Sequence, residues 1–272
     1  MPTLSQIFIY PVKSLAGIRV EQWPVDATGL RYDRKWMLVD PQHQFLSQRR
    51  LPKMALIKTR IDDDQLILSA PDQEDIAIPL HGNEADTVNV EIWHDQCLAK
   101  TVSEQVDAWF SRFLACECRL VFHPDDSIRQ VDQQYANAND QTAFSDGFPF
   151  LVVSEHSLHE LNHAMQLSFT MDRFRPNLVV SDCDAYAEDS WRRIRINGIE
   201  FRLPKPCSRC SVPSIDPETA AIGKEPLATL NRLRKQDNKV YFGQNALHDG
   251  LGNLAVGNTV TILETGPRQP AL

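Results

Sequence analysis

The sequence predicts a mainly β protein, an antiparallel barrel or sandwich with a few short helices. Short runs rich in Ile, Val, Phe, Tyr and Trp recur along the chain, bounded by Asp, Gly, Pro and Asn, which is how many short strands read. Few stretches carry apolar residues at helical spacing. The longest apolar stretches, such as residues 148–153, are strand-sized and too short to cross a bilayer as helices.

Residues 4–10, LSQIFIY, read as a first strand that Pro11 ends. Val12, Lys13, Ser14 and a turn near Gly17 lead to a second strand over 20–25 and a turn over 26–29. Residues 36–39 give a third, with Asp33 and Arg34 at its entrance, and 45–48, 55–60, 65–69 and 88–93 continue the pattern. Residues 103–115 break it. Val106, Trp109, Phe110, Phe113 and Leu114 fall at helical spacing, and Ser103 stands where an N-cap belongs, so this is a packing helix. Residues 119–122 return to strand.

Residues 123–140, HPDDSIRQVDQQYANAND, are polar and without period. They read as a long surface loop and as the boundary between domains at 1–122 and 123–272, and a loop of such length is often functional. Beyond it, 149–153 is a buried-looking strand. A helix over 155–166 follows, capped by Ser154, with Leu158, Leu161 and Met165 on one face. Residues 177–181 are a strand, and 194–196 with 199–203 form a hairpin about Asn197-Gly198. Leu227, Leu230 and Leu233 mark a short helix over 226–234, and strands over 254–256 and 259–263 close the chain. No internal repeat or low-complexity tract interrupts it.

The chain has 272 residues, 42% of them hydrophobic, enough for one large domain or two small ones with a real core. A net charge of −8 argues against general nucleic-acid binding, which needs a basic surface. Six cysteines are too few for a disulfide scaffold. The stretch MPTLSQIFIYPVKS lacks the basic, then apolar, then small-residue pattern of a secretory signal, so a cytoplasmic protein without a membrane span is expected.

The most informative stretch is KPCSRCSVPSIDPE, residues 205–218. It holds Cys207 and Cys210, with Lys205 and Arg209 beside them, and nearby cations favour the thiolate, the form that attacks and ligates. A C-x-x-C alone is half a zinc site, a redox pair or packed structural cysteines. Zinc wants a second pair, and Cys97, Cys116, Cys118, Cys183 and His94 do not supply one at the usual spacing. His156, His159 and His163 share a helix without H-E-x-x-H and read as a solvated face. Lys13, at a strand end, is either a solvated lysine or a point-charge phosphate binder. Arg173 and Arg175 are either paired with an acid such as Asp172 or, for Arg175, a planar fork for an anion.

Cys207-Ser208-Arg209-Cys210, then Ile215-Asp216-Pro217-Glu218-Thr219, Lys224-Glu225-Pro226-Leu227 and Phe242-Gly243-Gln244, resembles the MOSC domain. Within it the pattern is similar to the branch containing the mitochondrial amidoxime-reducing component and its bacterial relatives. Tyr10-Pro11-Val12-Lys13-Ser14 resembles the start of that family's N-terminal domain, and Phe174-Arg175-Pro176-Asn177 its F-R-P-N motif. The resemblance implies a MOSC N-terminal barrel-like domain followed by a MOSC β-barrel, with a molybdenum cofactor (Mo-molybdopterin) between them. Carried over by position, Cys210 is the molybdenum ligand and catalytic thiolate, and Lys13 and Ser14 meet the phosphate. Arg34, Arg175, Asn177, Ser208, Arg209 and Asn245 approach the cofactor, with Arg49 in Ser47-Gln48-Arg49-Arg50 a second candidate beside Arg34. Gly147 and Phe148 replace hydroxyl-bearing residues, leaving backbone contacts there. Ala220 stands where the family has Gly, and a proline stands among its threonines near 212–214. Cys207 is not implied as a ligand.

The implied activity is a molybdenum-dependent oxidoreductase that reduces N-hydroxylated compounds: amidoximes, hydroxylamines and N-hydroxylated bases. Some bacterial relatives append an iron–sulfur domain. Its cysteines do not follow the last motif here, so the expected electron donor is a separate protein, a ferredoxin or flavin reductase. A reading from another class is a non-catalytic carrier of the molybdenum cofactor or its sulfur, since a reactive Cys210 would hold a persulfide as well as a metal. A pyridoxal-phosphate enzyme with Lys13 as Schiff base is a third.

Overall fold

A computed structural model of the chain describes residues 1–81 and 86–270. The N-terminal elements are β1 (Thr3–Ile9), β2 (Ile18–Val20), β3 (Gln22–Asp26), β4 (Gly29–Leu30), β5 (Trp36–Val39), β6 (Lys58–Asp62), β7 (Gln65–Ser69), β8 (Ile76–Pro79), β9 (Thr87–Ile92), β10 (Asp95–Thr101), α1 (Glu104–Leu114) and β11 (Arg119–Phe122). After a long connection come β12 (Phe150–Ser154), α2 (Glu155–Met165), β13 (Leu178–Ser181), β14 (Trp191–Ile196), β15 (Ile199–Ser208), α3 (Leu227–Leu233), β16 (Lys235–Gln236), β17 (Lys239–His248), β18 (Gly252–Ala255) and β19 (Val260–Thr265). The fold is mainly β, as expected.

The largest sheet runs β19-β14-β15-β17-β12-β13-β1-β2, with β16 on β17. Its pairs are antiparallel except β12 with β13, which α2 joins as a crossover. Thus β1 lies between β13 and β2, inside a sheet built mostly from the second half of the chain. The smaller sheets are β5-β11-β10-β9, β18-β3-β4 and β6-β7-β8.

The central strands of the large sheet are buried on both faces. Ile7, Ile9, Phe150, Val152, Leu178 and Val180 enter one core with Trp191, Ile194 and Phe201. The alternate residues Phe8, Tyr10, Leu151, Val153 and Val179 enter a second core with Leu158, Leu161, Phe174 and Leu230. This explains the near-continuous apolar runs in β1 and β12, since a strand covered on both faces has no polar side to show. Each such side chain contributes about 1.5–3 kcal/mol by leaving water. The N-terminal sheets close around Trp36, Leu38, Leu66, Leu68, Trp109 and Phe110.

The helix signals hold at atomic level. Ser103 accepts from the Val106 amide at 3.2 Å and Ser154 from the Ser157 amide at 3.0 Å. Two strand expectations change. Residues 45–48 make only an isolated bridge, Phe45 to Val39, because the chain turns away after Leu46. Residues 55–60 begin in a 3-10 turn, Pro52–Leu56, and only Lys58–Asp62 is strand. The connection after β11 is polar but not merely a surface strap. Arg129 is 4% exposed and fixes it to the carbonyls of Ala143 (2.9 Å) and Ser145 (2.7 Å) and to Asp95 (2.7 Å). Among the described residues no helix is long and apolar enough to cross a membrane.

Candidate functional site

The end of β1 builds one wall of a cleft. Pro11 removes an amide donor, so β1 stops, and the chain is then held by Lys13 N to the Trp36 carbonyl (2.8 Å) and Arg34 N to the Tyr10 carbonyl (2.8 Å). These bonds bring residues 10–14 alongside 32–36. Lys13 is 5% exposed, and its ammonium donates to the Phe144 carbonyl at 2.8 Å and to Asp146 at 2.6 Å. Burial lowers its pKa to about 8 against the pull of Asp146. Asp146 is more open, its side chain 71% exposed. Crowding alone would raise its carboxyl, but Lys13 outweighs that and holds it below the usual carboxylate range.

Tyr10 is the plate on which two cations lie. The guanidinium of Arg34 sits 4.3 Å from the ring centroid and that of Arg175 sits 4.2 Å from it. Arg34 pairs with buried Asp33, which also accepts from the Tyr10 amide at 2.7 Å. Burial pushes the Asp33 carboxyl up despite that pairing. Arg175 donates to the Leu15 carbonyl at 2.5 Å. Burial, with Arg34 beside it, lowers its pKa to about 10, so it remains a cation at neutral pH. Ser14, Arg34 and Arg175 all have left-handed backbones, with φ of 68°, 51° and 56°. Such strain in residues with a Cβ persists only where the surroundings enforce it, and it clusters at functional sites.

The opposite wall is the end of β15 and the turn after it. Ser208 is the last strand residue, and Arg209 N donates to the Val240 carbonyl at 2.8 Å. The Arg209 guanidinium reaches the Phe174 carbonyl at 2.6 Å and the Cys207 sulfur at 3.2 Å. The cation therefore lies on Cys207, rather than on Cys210 as its neighbouring position suggested. Cys207 is half-buried against the helix-side core, and Cys210 is exposed. Ala220 carries the left-handed φ of 58° that explains why glycine suits that turn.

Lys13, Ser14, Arg34, Gly147, Phe148, Arg175, Asn177, Ser208, Arg209, Cys210 and Asn245, singled out in sequence, all line this one cleft. Lys13, Ser14 and Arg34 precede the long connection; the rest follow it. Asn177 is 2% exposed, and its amide is taken by the Leu151 amide and the Phe8 carbonyl, both at 3.2 Å, so it braces the cleft floor. Asn245 donates to the Pro206 carbonyl at 3.3 Å. Gly147 faces open space where a Cβ would stand. Arg173 is elsewhere, paired with Asp216 at 2.5 Å and stacked on Phe169. His156, His159 and His163 are exposed.

Sequence reasoning missed the acids. Asp33 and Asp146 orient the two cations nearest β1, and their only signal was position, one beside Arg34 and one beside Gly147. It also missed Trp93, which donates to Asp146 at 3.3 Å.

The cleft is open to solvent, with about 800 Å³ of space counting the solvent at its mouth. Its donor set suits an anionic group with a soft metal at one end. Lys13, Arg34, Arg175 and Arg209 supply positive charge, and exposed Cys210 supplies a thiol. The Arg209 Nε is buried and has no partner among the described residues, an orphaned donor that a bound acceptor would satisfy.

Known proteins agree with this architecture. The family model described as the MOSC N-terminal beta barrel domain matches residues 1–117, and the MOSC domain matches residues 139–261. The fold and cleft thus define a MOSC protein with its N-terminal barrel. The chain is 34% identical over 279 residues to mitochondrial amidoxime-reducing component 1 of Mus musculus, covering 96% of this chain and 82% of that protein. It is 35% identical over 279 residues to the Homo sapiens protein of the same name, covering 96% and 83%. It is also 32% identical over 264 residues to molybdenum cofactor sulfurase of Solanum lycopersicum, covering 88% of this chain and 32% of that protein. The chain belongs to the amidoxime-reducing-component family of MOSC proteins. Its function is accordingly one associated with the molybdenum cofactor.

Proposed function

We propose that this protein is a molybdenum-cofactor-dependent reductase of N-hydroxylated compounds, amidoximes, hydroxylamines and N-hydroxylated bases, with Cys210 as the metal ligand. The observation that carries this reading is the meeting of an exposed Cys210 thiol with Lys13, Arg34, Arg175 and Arg209 in one cleft. When bound, the cofactor supplies the two-electron chemistry that removes oxygen from an N–OH group; the protein supplies orientation and charge.

Lys13 and the two arginines on Tyr10 bind and orient the anionic end of the cofactor. Ser14, Ser208 and Asn245 offer hydrogen bonds along the cleft, and Asn177 braces its floor. Gly147 and Phe148 contribute backbone and an apolar wall. The Cys210 thiolate is soft and matches molybdenum better than a hard oxygen would. Electrons come from a separate transfer protein, such as a ferredoxin or flavin reductase, in the cytoplasm.

The test uses protein made in cells that synthesise the cofactor. One molybdenum per chain and conversion of an amidoxime to its amidine, given a low-potential donor, are expected. Cys210→Ser stops turnover while Cys207→Ser keeps it. Stoichiometric zinc without molybdenum would sink the proposal. So would transfer of cofactor or sulfur to an acceptor enzyme with no turnover, which is the behaviour of a carrier.

A further inference from the structure

Beside the cleft, next to Asp146 of its lining, lies a cluster around Arg49 whose other members the sequence did not reveal. Trp93 occupies the two-residue turn between β9 and β10 and is 41% exposed. Its φ is 60°, a left-handed backbone that is a genuine outlier for a bulky side chain. The indole is fixed on two sides, by its hydrogen bond to Asp146 (3.3 Å) and by the Phe45 ring at 5.1 Å. The Arg49 guanidinium lies over the indole, 4.2 Å from its centroid. Ser47 Oγ accepts from Arg49 Nε at 3.4 Å.

Arg49 differs from the other cations around the cleft. Lys13 is paired with Asp146 and Arg34 with Asp33, while Arg175 and Arg209 are taken up by carbonyls and a sulfur. Among the described residues the two terminal nitrogens of Arg49 have neither a hydrogen-bond partner nor an ion pair. A planar fork held flat by stacking, with both ends free, is organised for a carboxylate or phosphate before that anion arrives. Asp146, whose charge feels Arg49, is already engaged by Lys13 and Trp93. Arg49 does not line the cleft but borders it, stacked on Trp93, which bonds to the lining residue Asp146.

Resting on the proposed reductase activity, we propose that Arg49, stacked on Trp93, reads an anionic substituent on the substrate. The favoured N-hydroxylated compounds then carry a carboxylate or phosphate group apart from the N–OH.

Matched substrates test this on the cofactor-loaded enzyme. One pair is benzamidoxime and its 4-carboxy derivative, and the other is N-hydroxycytidine and its 5′-monophosphate. The wild type should favour the anionic member of at least one pair in kcat/KM, and which pair it favours separates carboxylate from phosphate. Arg49→Gln should cut that preference about tenfold or more, mainly through KM, as expected for one charged hydrogen-bonding contact. Arg49→Lys, which keeps the charge but not the fork, should fall between. Pterin content should be unchanged in both variants. No preference in the wild type, an equal loss for both members of each pair, or a fall in pterin content on Arg49→Gln would overturn the proposal; the last would assign Arg49 to the cofactor. If no N-hydroxylated compound turns over, the reductase reading has failed separately. Calorimetry with benzamidine and 4-carboxybenzamidine then still decides: tighter binding of the carboxylate that Arg49→Gln removes supports the anion reader, and equal binding refutes it.

Discussion

Replacing Lys13 with methionine separates stability from function. In the folded protein the Lys13 pKa is about 8, against 10.5 for a free lysine. That drop corresponds to about 3 kcal/mol spent at neutral pH on keeping the buried group charged. Lys13→Met relieves this term, loses the bonds to Phe144 and Asp146, and leaves Asp146 without its cation. Asp146 is 71% exposed, so water recovers much of its solvation. The expected change in unfolding free energy at pH 7 therefore lies between neutral and about 3 kcal/mol stabilising, as when a buried ion is replaced by a hydrophobe. The pH dependence fixes the sign. Between about pH 8 and 10.5 the unfolded chain binds the lysine proton and the folded chain does not, so wild-type stability rises with pH across that window. The variant lacks that rise. Urea unfolding of both proteins from pH 7 to 10.5 measures the difference curve, and pterin retention reports the lost anion contact, expected to fall by about tenfold or more. A variant destabilised by more than about 1 kcal/mol at pH 7, with a flat difference curve, would refute the reasoning.

Other perturbations follow from the same geometry. Gly17→Ala places a Cβ 2.4 Å from Tyr10 Cε1, so the ring carrying Arg34 and Arg175 must shift; urea melts should show a loss of about 1–3 kcal/mol, and pterin content should fall with it. Gly147→Ser meets nothing within 4 Å, so its unfolding midpoint should stay within about 0.5 kcal/mol of wild type, while a regained hydroxyl tightens pterin retention. Arg234→Met strands Asp189, which is 1% exposed and paired at 2.6 Å, and should lower stability by about 3–5 kcal/mol in chemical denaturation. In protein stripped of cofactor, affinity for inorganic phosphate should decline as pH rises through about 8 and Lys13 loses its proton; an affinity unchanged to pH 9.5 would remove Lys13 from the anion site.

Where a short segment states its own structure, the sequence was readable. Ser103 and Ser154 announce α1 and α2 because a cap and an apolar stripe are local features, and Asn197-Gly198 announces the β14–β15 hairpin for the same reason. Strand β17 was invisible. Its segment KVYFGQNALH has Gly243 at its centre and no alternation, because it is packed between β12 and β15, and a Cβ on Gly243 would sit 2.7 Å from Val153. The segment 45–48 misled because its apolar Phe45 and Leu46 serve two different cores. In the cleft, residues inside motifs were legible, whereas Asp33, Asp146 and Trp93 were not. Their roles come from contacts such as Lys13 to Asp146 and Trp93 to Asp146, which cross long stretches of chain.

The position of β1 also has a consequence for biosynthesis. Ile7 pairs with Val20 on one side and Leu178 on the other, so β1 must wait for about 170 further residues before its second partner exists. At typical synthesis rates that is about 10–30 s with one apolar edge of β1 still unpaired. A nascent chain in that interval is a natural client for a chaperone. Truncated translation products ending before residue 178 should be aggregation-prone however well the sheets formed by β5 to β11 have folded. The same pairing means that a fragment lacking β1 would expose β13 as an apolar edge, open to strands of other chains.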